Sequence, residues 1–202
     1  MRSTGALVLL VVVLLVGFAG CAGCGTYNTL VQKDEAVEEA WGNVETTYQR
    51  RADLIPNLVA TVQGAADFER STITEVTEAR ARATSINLTA DDLDDPAAIQ
   101  RYAEAQQALS GALGRLLAVS ENYPELRATE AFRDLQVQLE GTENRINTAR
   151  RDYNAAVRDY NTSVRRFPAN IVAGLTGFGR RVPFEAADGA EDAPDVDFDF
   201  GS

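Results

Sequence analysis

"YQRRADLIPNLV", Tyr48 to Val59, decides how this chain is read. Tyr48, Ile55 and Leu58 fall at helical spacing, yet the stretch carries two adjacent arginines and Pro56. Traced outward, the same apolar stripe takes in Leu30, Val37, Trp41 and Val44 upstream and Val62 downstream. These are the a and d positions of a heptad. The stripe keeps its phase across the proline. One long helix is therefore predicted, kinked or loosened where Pro56 cannot bond the Ala52 carbonyl.

Further helices follow. Ser71 to Thr84 is predicted helical, with Thr72 and Glu75 spaced as a capping box. "SINLTADDLDDPAA", from Ser85, reads as a loop that closes with Asp95 as N-cap and Pro96 at the first helical position. A third helix uses Ile99, Tyr102, Leu109, Leu113, Leu116 and Val119, and "NYP" (Asn122 to Pro124) ends it. The fourth has the cleanest seam: Phe132, Leu135, Leu139, Thr142, Ile146, Ala149, Tyr153, Val157, Tyr160, Val164 and Phe167. Nothing alternates with period two over a useful length. The expected fold is all-α, an up-and-down antiparallel bundle of long helices with an N-terminal membrane segment.

That segment is residues 1–25. Arg2 precedes an apolar run from Ala6 to Ala19, which as a helix spans roughly 21 Å against a hydrocarbon core of roughly 30 Å. A run of this length with a basic start reads as a signal h-region. "FAGC" (Phe18 to Cys21) resembles a lipobox with phenylalanine in the usual leucine position, making Cys21 the lipidated first residue of the mature chain. The other reading is an uncleaved anchor extending to about Gly25. Cys21 and Cys24 are not read as a redox or metal pair, since they adjoin the bilayer with no second ligand pair. Positive charge before the run, with Asp34, Glu35, Glu38 and Glu39 after it, predicts a domain on the outer side of the cytoplasmic membrane.

Composition narrows the chemistry. The chain has 202 residues and a net charge of -11, which argues against nucleic acid and against docking on anionic lipid by charge alone. It has no histidine, and its only cysteines are Cys21 and Cys24. Beyond residue 24 it lacks the most versatile catalytic base, the best metal ligand and the thiol nucleophile. No cofactor, no metal and no enzymatic activity are expected.

In the heptad register Arg51 falls at an a position, with Arg50 beside the seam. A buried arginine needs a carboxylate or water. Glu140 and Glu143 flank Thr142 on the fourth helix, and Gly141 between them would let a neighbour approach closely. A structural polar layer of Arg50, Arg51, Glu140 and Glu143 is expected, with Arg51 paired to one of the two glutamates. An anion site in a cleft is the functional alternative.

"YNTLV" (Tyr27 to Val31), "AW" (Ala40, Trp41), "YQRRADLIPNLV", "LSGALGRLLAVSENYPEL" (Leu109 to Leu126), "LQVQLEGTENRINTARRDYNAAVRDYN" (Leu135 to Asn161) and "FP" (Phe167, Pro168) together resemble the LemA family. The resemblance covers about residues 26–184. It implies a bacterial, membrane-associated helical bundle and carries over no catalytic residues. Residues 185–202 form an acidic tail expected to be disordered. Its Val196, Phe198 and Phe200 alternate with aspartates, a pattern that could add to another protein's sheet edge.

The function expected is a membrane-anchored, non-enzymatic scaffold or adaptor of the cell envelope with unidentified protein partners. The alternative is a binder of a small molecule, lipid or cell-wall fragment between helices, lined by the arginines and by Tyr102, Tyr123, Tyr153 and Tyr160. A sizeable cavity would favour the binder. An enzyme using Glu140 and Glu143 is the weakest reading, since carboxylates on a helix flank are usually solvated or paired. Self-assembly into a homo-oligomer through the long helices is left open.

Overall fold

The computed structural model describes residues 2–65 and 68–184, with side chains from Cys24 onward. The side chains of the apolar run, Cys21 and the whole acidic tail, including Val196, Phe198 and Phe200, lie outside that description. Among the described residues no helix is long and apolar enough to cross a membrane. Among the described residues six helices run in order: α1 (Arg2–Gln63), α2 (Arg70–Ser85), α3 (Pro96–Ser120), a single turn α4 (Pro124–Ala128), α5 (Glu130–Arg165) and α6 (Ala169–Thr176). A 3-10 turn, Ala90–Asp94, lies between α2 and α3. No strand occurs among the described residues.

The four long helices alternate in direction. Ion pairs from Lys33 to Asp159 and from Arg51 to Glu143 set α1 against α5 in antiparallel register. A pair between Glu75 and Arg115, with the Gln106 side chain donating to Ala83 O at 3.4 Å, does the same for α2 and α3. α1 pairs most closely with α5, and α2 with α3. The core divides into two clusters along the bundle. One, around Leu30, Trp41, Tyr48, Tyr102, Tyr153 and Tyr160, is rich in aromatics. The other, around Ile55, Leu58, Val76, Leu109, Leu116 and Phe132, is mostly aliphatic.

α1 continues through Pro56. The proline has no N–H for the Ala52 carbonyl, and α2 supplies a donor instead. The Arg80 Nε donates to Ala52 O at 2.8 Å. Arg80→Ala is therefore expected to cost about 1–2 kcal/mol in the parent chain, the effect of leaving a half-buried carbonyl without a partner. The cost should largely vanish in a Pro56→Ala background, where a new backbone N–H can reach Ala52. Urea unfolding of the four chains measures the coupling, and additive costs would remove this role for Arg80.

Asp95 caps α3 as expected, accepting from the Ala97 N–H at 2.9 Å, with Pro96 behind it. The box expected at Thr72 does not form. α2 starts at Arg70 with Glu69 at its cap, so Thr72 is already inside the helix and buried. A capping box instead joins Thr89 and Asp92 in the 3-10 turn. The α5 seam is buried from Phe132 to Val164, but Phe167 is 76% exposed. The residue before a proline is disfavoured in helical conformation, and Phe167 precedes Pro168; α5 ends at Arg165.

Past α6 the chain turns back along the bundle. Gly177 adopts φ 83, and its N–H and that of Phe178 both bond the Ala173 carbonyl, a left-handed helix cap that glycine alone takes at no steric cost. Residues 178–184 then form a strap running antiparallel to α5. The Asn161 side chain donates to Arg181 O at 2.8 Å and accepts from Arg181 N at 3.0 Å. Asn154 does the same for Phe184, at 3.0 and 2.8 Å. Seven helical residues rise about 10.5 Å, and three extended residues cover about 10 Å. Two asparagines a heptad apart therefore match strap residues three apart. Arg181 also grips Asp34 through two bonds, at 2.9 and 3.2 Å. The Phe184 ring stacks on Trp41 at 5.6 Å.

Candidate functional site

Arg51 sits where the two apolar clusters meet, between the α1–α5 pair and the α2–α3 pair. It is 2% exposed. Its Nη1 donates to Ser110 Oγ at 2.5 Å and Glu143 Oε2 at 3.1 Å, and its Nη2 to the Gln106 carbonyl at 3.1 Å and side chain at 2.8 Å. The guanidinium lies over the Tyr48 ring at 5.0 Å, which adds a cation–π contact. Nε is buried without a hydrogen-bond partner. The charge is tolerable because four acceptors converge on it and Glu143, 47% exposed, stays hydrated.

Of the four residues expected in this layer, Arg51 and Glu143 meet. Arg50 and Glu140 must be corrected. One residue is a turn of about 100° on a helix, which carries Arg50 off the seam to an exposed position. Glu140 is exposed too and accepts from Gln136, one turn away. Thr142 is buried but bonds back to the Gln138 carbonyl of its own helix. Gly141 is no point of close approach, since a Cβ there would meet nothing within 4 Å. Gln106 and Ser110 were missed. Gln106 fills the seam position between Tyr102 and Leu109, and that polar break opposite Arg51 was the signal available.

A cleft of about 420 Å³ opens beside the layer. Its lining includes Tyr48, Arg51, Glu104, Gln107, Arg150 and Pro183, so α1 forms the floor, α3 and α5 the walls, and the strap one end. Both charge signs and several amides face it. The tyrosines expected around a ligand do not converge here. Tyr153 donates its hydroxyl to Val182 O at 2.8 Å, and Tyr123 packs on Phe68 at the other end of the bundle. Burial pushes the Tyr48 phenol up, with Arg150 and Arg51 opposing. Burial, aided by Asp34, pushes Tyr160 up to about 12. Neither phenol is a ready proton acceptor near neutral pH.

The LemA family model matches residues 40–198. The chain belongs to the LemA family. The matched span holds the whole Arg51 layer, both strap asparagines and the strap. Magnetosome proteins MamQ 1 and MamQ 2 of Paramagnetospirillum magneticum are each 30% identical to this LemA-family chain over 175 residues. Those matches cover 79% of this chain and 64% of each relative, less than two thirds of their length. Protein LemA of Metamycoplasma hominis is 22% identical over 161 residues, covering 80% of this chain and 69% of that protein.

Proposed function

We propose that this LemA-family chain is a membrane-tethered, non-enzymatic helical adaptor that holds an extended segment of a partner protein in the α3–α5 cleft. The observation that carries the reading is the open cleft floored by a buried, fully oriented Arg51. The strap adds support, since the same helix already holds an extended segment by its backbone through Asn154 and Asn161. Amides and paired charges on the walls suit peptide groups, which present donors and acceptors alike. The tether is read from the Ala6 to Ala19 run, and the distribution of charge around it favours the outer side. The names of the relatives specify no reaction.

A small-molecule binder is the second reading, because the cleft volume lies in the range of ligand pockets, about 300–1,000 Å³. Photo-crosslinking amino acids at Glu104 and Gln107 of the full chain in cells separate the two. Protein adducts of defined mass from both cleft positions, and none from exposed Val137, are expected. If the cleft positions yield no protein adduct and native mass spectrometry finds a bound low-mass compound, the adaptor gives way to the binder.

A further inference from the structure

Five large hydrophobic side chains are exposed among the described residues, and four gather at one end of the bundle: Tyr27, Phe167, Ile171 and Leu175. Phe167, Ile171 and Leu175 are four residues apart, which sets them along one face of α6 and its entry turn. They are 76%, 54% and 83% exposed. The opposite face, at Ala173, is buried in the aromatic-rich core. α6 therefore does not lack a core contact. It has two apolar faces, one packed and one bare, as a helix placed between a protein and a second apolar phase has.

The charge around this patch is unlike the rest of the chain. In a protein with 30 acidic residues, none lies between Asp159 and Glu185, and none precedes Asp34. Arg165, Arg166 and Arg180 border α6 and are exposed, while Arg181 is taken up by Asp34. α6 packs against α1, and Phe178 just past it meets the Tyr27 ring at 5.7 Å. Tyr27 is eight residues, about 12 Å of continuous helix, from Ala19 at the end of the apolar run.

We propose that α6 is a second membrane contact, lying in the lipid interface on its Phe167–Ile171–Leu175 face with Arg165, Arg166 and Arg180 at the level of anionic headgroups. Net charge opposes docking on such lipid, so the contact depends on the apolar face and on this local arginine rim. A second copy of the chain is disfavoured as the occupant, since a two-fold contact through this patch would oppose the two rims. The inference rests on the tethered reading above.

The test uses the full chain in phosphatidylcholine–phosphatidylglycerol vesicles with acyl chains brominated near the headgroup. The native chain has one tryptophan, the buried Trp41, which provides the background. Emission added by Leu175→Trp should be mostly lost to the brominated lipid. Emission added by Val137→Trp, about 42 Å up α5 from Arg165, should be retained. If the protein floats with the vesicles but neither variant is quenched, the α6 contact is wrong and the tether stands. If the protein does not float, the tether fails and the α6 contact with it.

Discussion

Phe184→Ala is expected to cost about 3–5 kcal/mol of packing, the range for truncating a buried phenylalanine. The loss should appear first as release of the strap, not as global unfolding. Phe184 is 4% exposed; it stacks on Trp41, meets Tyr153 edge-on at 5.6 Å and carries the Arg150 guanidinium over its ring at 5.1 Å. Beyond the two asparagine clamps, the strap backbone is held by Val182 N donating to Leu93 O and by the Tyr153 hydroxyl donating to Val182 O. A segment so attached opens as a local unit when its anchor is removed. Trp41 is the only tryptophan, so its emission should shift to the red as water replaces the Phe184 ring. Trypsin should cut after Arg180 or Arg181 much faster, while α5 stays resistant. Asn154→Ala and Asn161→Ala each remove two strap hydrogen bonds and should give a smaller acceleration, about 1–2 kcal/mol apiece. Unchanged Trp41 emission together with unchanged cleavage would show that Phe184 does not hold the strap.

The strap illustrates where sequence reading reached its limit. Seams written at threes and fours foretold the long helices, because one apolar stripe per helix is what a bundle core requires. Asp95 and Pro96 foretold the start of α3. The strap has neither helical nor alternating period, and its stability comes from side chains on another element. Asn154 and Asn161 are polar residues next to seam tyrosines, and "RDYN" recurs at Arg151 and Arg158. That heptad repeat was the visible trace of the two clamps. Arg51 was legible as a buried charge, but its main partners were not. A search for carboxylates finds Glu143 and passes over Gln106, whose side chain and backbone both accept from Arg51. α6 escaped because eight residues hold too few turns for a period to show.

Arg51→Ala is expected to cost about 3 kcal/mol, toward the low end for removing one partner of a buried pair. The remaining carboxylate at Glu143 is 47% exposed and rehydrates, so most of the loss is on the α3 side, where the Gln106 side chain is left facing a hole. Glu143→Ala should cost as much or more, about 3–5 kcal/mol, because it leaves the buried Arg51 guanidinium with neutral acceptors only. A Glu143→Ala cost below about 1 kcal/mol would mean that the tie to α3 satisfies the buried charge without the ion pair. Arg51→Met combined with Gln106→Leu removes the buried charge and its principal acceptor together, and buried polar clusters so replaced are often neutral or more stable by about 1–4 kcal/mol. Chemical denaturation should therefore place this double variant at or above the parent. If it is stable and still yields the Glu104 and Gln107 crosslinks, the layer serves helix register alone. If it is stable and the crosslinks disappear, Arg51 is retained for what the cleft holds, at a cost in stability that the apolar pair reveals.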